Sequence, residues 1–109
     1  MKISKFKQLL VSCCIATYHL EANEESEDFI VWHEVSESGL HSDNQRKSET
    51  AIIAVDYFTK KEYPEVPDKL KKTFRENGIA FRGPEIIYDQ AAKRSHYAFT
   101  VELIIDGTV

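Results

Sequence analysis

Apolar residues recur along this chain with two different periods, and the switches between them mark out its elements. Ile3, Phe6, Leu9, Leu10 and Cys13 lie three or four residues apart, with Lys2, Lys5, Gln8 and Ser12 between them. That spacing lays one apolar stripe on an α-helix and predicts a helix over residues 3–13. Ile15 to Leu20 is richer in β-branched and aromatic residues and predicts a short strand. The acidic run Glu21 to Asp28 reads as an exposed loop. From Phe29 to Val35 the period becomes two, with Phe29, Val31, His33 and Val35 on one face and Ile30, Trp32 and Glu34 on the other. Thr50 to Phe58 alternates in the same way, with Ala51, Ile53, Val55 and Tyr57 opposed to Ile52, Ala54, Asp56 and Phe58. The polar residues 36–49 between these two strands form a long connection, and the whole reads as a hairpin.

Helical spacing returns at Val66, Leu70, Thr73 and Phe74. Pro64 and Pro67 suit a first helical turn, where a missing N–H costs nothing, and Glu62, Glu65 and Asp68 complement the N-terminal dipole. Asn77-Gly78 is a stop signal, after which Ile79 can pack back on the last turn, so the helix spans about residues 65–76. Ile79 to Phe81 and Glu85 to Tyr88 are extended segments broken at Gly83-Pro84, the mark of a bend or bulge in an edge strand. After a polar turn over residues 89–95, Tyr97, Phe99, Val101 and Leu103 alternate with His96, Ala98, Thr100 and Glu102. The order α-β-β-β-α-β-β predicts a single α+β domain over residues 1–109, a mixed or antiparallel sheet of about five strands with two helices packed against it.

Composition narrows what such a domain can do. With 109 residues, 42% hydrophobic and 29% charged, the chain has room for one ordinary globular core, small enough to gain from subunit contacts. The formal net charge of −4 argues against a basic nucleic-acid footprint. The lysines and Arg75 between residues 60 and 75 alternate with Glu62, Glu65 and Asp68, as on a solvated helix face. Cys13 and Cys14 are adjacent, a poor geometry for a disulfide, which points to a reducing compartment. Leu10-Val11-Ser12-Cys13 after three lysines has the outline of a lipoprotein cleavage box. Lys7 and Gln8 cut its apolar core well below the roughly 7–15 residues that export needs, so export is the lesser reading. No stretch approaches the length of a membrane span.

Candidate chemistry is sparse. The histidines His19, His33, His41 and His96 lack the spacing of a zinc helix or a Cys-x-x-Cys partner, so no metal site is expected. Dispersed glycines exclude a phosphate loop, and no cofactor is expected. The cysteines sit at the end of the first helix, far from an N-terminus that would activate a thiol. His33 and His96 read as members of cross-strand polar pairs. Asp56 interrupts an apolar strand and should face solvent or accept hydrogen bonds, because burying even a neutral polar group unpaired costs roughly 2–7 kcal/mol. A cleft in which His33, His96 and Asp56 converged would reopen an enzymatic reading. Two strands apolar on both faces, with only two helices to cover them, leave apolar surface for another subunit.

Val55-Asp56-Tyr57-Phe58-Thr59-Lys60-Lys61-Glu62, the following helix with Asn77-Gly78-Ile79, then Tyr88-Asp89 and His96-Tyr97-Ala98-Phe99, resemble the small tail-completion or tail-terminator proteins of long-tailed bacteriophages and prophages. The strand Phe29 to Glu34 after Tyr18-His19 fits the same picture, so the likeness spans most of the chain. The resemblance implies a structural protein without catalytic residues. Copies of it join into a ring, commonly a hexamer, that caps the tail tube and offers the docking face for the head. Its partners would be itself, the tail tube protein and head-tail connector proteins, with DNA only passing through the lumen and no membrane. Its place would be the tail or neck of the virion, and the host cytoplasm before assembly. Contacts are expected on the long hairpin strands, at Trp32, His33, Asp56, Tyr57 and Phe58, and on the polar loop through His41, Asp43 and Asn44, facing the lumen or a neighbour. The rival is a stand-alone regulatory or ligand-binding α+β domain with a small molecule on its apolar sheet face.

Overall fold

A computed structural model describes residues 1–14, 16–21, 27–38 and 48–106. The elements run α1 (Ile3–Cys13), β1 (Thr17–His19), β2 (Phe29–Ser38), β3 (Ser48–Thr59), α2 (Val66–Glu76), β4 (Ala80–Asp89) and β5 (Arg94–Asp106). The expected α+β architecture is present: the described residues form one five-stranded sheet, ordered β1-β2-β3-β5-β4, with two helices. Every neighbouring pair is antiparallel except β1 with β2, so the sheet is mixed.

The helices hold to the sheet by their apolar stripes. Lys2 at the start of α1 makes no side-chain capping bond, so packing is what retains this helix: Phe6, Leu10 and Cys13 are buried. In α2 the proline in the first turn, Asp68 near the positive end of the dipole and Arg75 near the negative end all favour the helix. Asn77 donates its side-chain N–H to the Thr73 carbonyl at 2.8 Å, Gly78 takes φ +66°, and the Ile79 amide returns to the Phe74 carbonyl at 2.8 Å. This closure folds Ile79 back into the core, as its place after Asn-Gly suggests. The two helices meet where Phe6 stacks on Phe74, with centroids 6.3 Å apart and planes 11° apart.

Both helices cover the same face of the sheet. The core face carries Ile30 and Trp32 of β2, Ala51, Ile53, Val55 and Tyr57 of β3, and Phe99, Val101 and Leu103 of β5. Register links them in rows across the strands, such as Trp32–Val55–Phe99 and Ile30–Tyr57–Tyr97. At one end of this face Asp28 accepts hydrogen bonds from the Tyr57 hydroxyl at 3.0 Å and the Thr59 hydroxyl at 2.8 Å, with Lys61 Nζ 3.1 Å away. Burial by itself would raise the Asp28 carboxyl, but the hydrogen bonds from Thr59, Lys61 and Tyr57 outweigh it and hold it below the ordinary range. Burial also drives the Tyr57 phenol upward.

β4 ends the sheet, with a break where the sequence suggests one. Its register against β5 shifts between Arg82 and Glu85, around a cis Gly83–Pro84 bond. Gly83 has φ +105°, and a Cβ placed there would lie 2.7 Å from the Ala98 carbonyl oxygen, so only glycine fits.

Candidate interaction surface

Among the described residues no helix lies over the second face of the sheet. Alternation and register arrange its side chains in rows: Phe29–Phe58–His96–Ile87, then Val31–Asp56–Ala98–Glu85, then His33–Ala54–Thr100–Arg82. In the first row three rings stand side by side, Phe29 on Phe58 at 5.0 Å and 22°, and Phe58 on His96 at 4.4 Å and 16°. Tyr18 meets the outer edge of Phe29, and the Arg94 guanidinium lies over the Phe29 ring at 5.2 Å. The rings bury one another's faces, which is why most of this surface is half-buried with no covering element among the described residues.

His96 and Asp56 form the polar centre, Nε2 to Oδ1 2.7 Å. They are diagonal cross-strand neighbours, since His96 pairs with Phe58 and Asp56 with Ala98. Asp56 therefore accepts a hydrogen bond on a half-solvated face, which settles how an acid is tolerated in an apolar strand. On the opposite face His19 pairs with Glu34 at 2.5 Å and stacks on Trp32 at 4.1 Å, and its hydrogen bond lowers the Glu34 carboxyl. The uncovered face is concave, a groove of about 1000 Å³ that reaches from Leu20 beyond β1 to Ile87 on β4. Arg94 lines it, with its Nε buried and without a hydrogen-bond partner.

The expected contact residues separate into three groups. His33, Asp56 and Phe58 line this groove together. Trp32 and Tyr57 are 3% and 0% exposed in the core, so period two turns them to the helices and away from any partner. His41, Asp43 and Asn44 lie outside the described residues. Phe29, Arg94 and Leu20 join the site without having been singled out. Phe29 shares the face of His33 by alternation, a usable signal, whereas Arg94 reaches Phe29 only because β5 pairs with β3. β3 lies between β2 and β5, so its backbone is already paired and only its outward side chains can meet another molecule, whereas β1 covers only Ile30–Trp32 of β2.

The groove does bring His33, His96 and Asp56 to one place. An imidazole held by a carboxylate is two-thirds of a nucleophilic triad. The cysteines are on the other side: Cys13 is buried at the end of α1, 3.3 Å from the Thr73 hydroxyl, and Cys14 packs against the same core. Burial raises the Cys14 thiol, the reverse of activation. Among the described residues no group of three or more His, Cys, Asp or Glu side chains is placed to hold a metal ion, and no helix is long and apolar enough to cross a membrane. No protein-family model and no curated protein matches the chain.

Proposed function

We propose that this chain is a non-catalytic structural subunit of a bacteriophage tail. Copies of it form a ring at the end of the tail tube, stop tube growth and present the surface to which head connector proteins join. The observation that carries the proposal is the uncovered, concave sheet face with its Phe29–Phe58–His96 row. It adds to the likeness of Val55 to Glu62 and His96 to Phe99 to tail-completion proteins. A sheet needs cover on one face to fold, and apolar side chains retained on the second face suit a subunit that buries them on assembly. In a cyclic ring this face of one copy meets a different surface of the next. The acidic balance of −4 suits a lumen through which DNA slides without adhering.

Light scattering across a concentration series, with and without purified tail tubes, tests the proposal. A ring-sized species or binding at tube ends is expected, lost in Phe58→Glu and His33→Glu while both variants keep the native circular dichroism. A strict monomer that ignores tubes would sink it. The groove also suits a second reading, a small ligand-binding domain, since its volume falls at the top of the range of roughly 300–1000 Å³ for small-molecule pockets and the Arg94 Nε is buried beside it without a hydrogen-bond partner. A monomer whose melting temperature rises with a screened ligand, and falls back in Phe58→Glu, would favour that reading.

A further inference from the structure

The sheet has two free edges, and they are unlike. β1 is three residues long. β4 is ten residues long and pairs with β5, and among the described residues no strand lies against its other side. The first half of that edge is blunted, because Pro84 has no N–H and the Arg82–Glu85 register shift bends the strand. The second half, Glu85–Asp89, has no such device. There Ile86, Ile87 and Tyr88 are 61%, 47% and 59% exposed, three consecutive large apolar residues along an open edge. An edge of this kind is a template for another strand.

Hollows flank the same segment on both faces. On the helix side, about 630 Å³ lies between α2 and β4, lined by Tyr63, Pro64, Pro67, Pro84, Ile86 and Tyr97 and by acidic and basic side chains of α2 and the turn before it. On the open side, Ile87 borders the large groove. An added strand would point successive side chains into one hollow and then the other, the arrangement that gives strand addition its specificity. Register puts Glu85, Ile87 and Asp89 on one face, opposite Ala98, His96 and Arg94. On that face a carboxylate therefore stands on either side of Ile87, and both are exposed.

We propose that the Glu85–Asp89 edge of β4 binds an extended segment of a partner protein as a sixth strand. The complementary segment has three central apolar residues flanked on each side by lysine or arginine. A second copy of the chain fits poorly. Antiparallel β4–β4 pairing centred on Ile87 would set Glu85 of each copy against Asp89 of the other, and like charges directly opposite repel. Pairing β4 with another copy's β1 would give a ladder of only three residues, and the part of β2 that β1 leaves uncovered, residues 33–38, carries Glu34 and no lysine or arginine to meet Glu85 and Asp89. The proposal needs only the edge, and stands or falls independently of the ring.

The test is an NMR titration of the full chain, ¹H–¹⁵N, with the peptide acetyl-Lys-Ile-Val-Val-Lys-amide and its Glu-flanked counterpart. The Lys-flanked peptide should bind at least about tenfold more tightly, with shifts centred on residues 85–89 and slowed amide exchange there. Glu85→Lys, which leaves Asp89, should erase the preference, Glu85→Lys with Asp89→Lys should reverse it, and Ile87→Lys, at an exposed site, should weaken both peptides about tenfold or more without altering the rest of the spectrum. Because a strand turns alternate N–H groups to its neighbour, N-methylation of one alternate set should abolish binding while the other set is tolerated. Equal binding of both peptides, indifference to which set is methylated, shifts confined to Phe58 and His33, or self-association through β4 that Ile87→Lys removes would each overturn the proposal, as would no binding.

Discussion

Asp28 is the polar residue on which most depends. Its carboxylate receives the hydroxyls of Tyr57, itself fully buried, and Thr59. Asp28→Asn should therefore lower stability at neutral pH by about 1–3 kcal/mol, the scale of hydrogen bonds to a charged acceptor. The pH dependence has a definite sign. A carboxyl whose folded pKa is lowered adds stability above its unfolded value, near about 4, and that contribution is lost as pH falls through the folded value. Urea unfolding at pH 7 and pH 3 should show the gap between wild type and Asp28→Asn shrinking at the lower pH, and an unchanged gap would assign the loss to packing. None of this is legible along the chain, where Asp28 is the last residue of an acidic run. The residues that lower its pKa arrive from β3 and the turn beyond it.

Among the elements, α1 and β4 depend on different physics. With no side-chain cap, α1 is retained by its buried stripe, and Phe6 touches both Trp32 and Phe74. Phe6→Ala should cost about 3–5 kcal/mol in chemical unfolding, the range for deleting a buried aromatic ring. In β4 a methyl group at Gly83 meets the Ala98 carbonyl, whereas at Gly78 it meets nothing within 4 Å. Gly83→Ala should thus cost about 1–3 kcal/mol by displacing strained backbone, against about 1 kcal/mol for the left-handed position of Gly78, a ranking that paired thermal melts would check. Period and stop signals were enough to read these elements: the helix expected over residues 3–13 is α1, Asn77-Gly78 ends α2, and Gly83-Pro84 interrupts β4. Strand lengths were less legible, because β2 and β3 run on through polar residues to Ser38 and back from Ser48. Pairing holds those residues extended although their side chains carry no alternation.

For the whole molecule, a one-sided sheet leaves two kinds of surface, the concave face and the free edge of β4. If the face assembles copies of the chain, Phe58→Glu should abolish ring formation in light scattering while Ile86→Lys, on the helix side of β4, leaves it intact. The sequence already contained the elements, the α+β class and the two-sided apolar character of the hairpin strands, because periodicity is written locally, within one turn or one pleat. It also placed Trp32 and Tyr57 opposite His33 and Phe58. It did not say which of those faces the helices would cover, since both are apolar enough to be buried. Nor did it say that β5 would insert between β3 and β4, making β3 interior and leaving β4 as an edge. Those choices depend on pairings such as Tyr57 with Tyr97 and Phe58 with His96, between residues about forty positions apart. Their energies exist only once the chain has closed on itself.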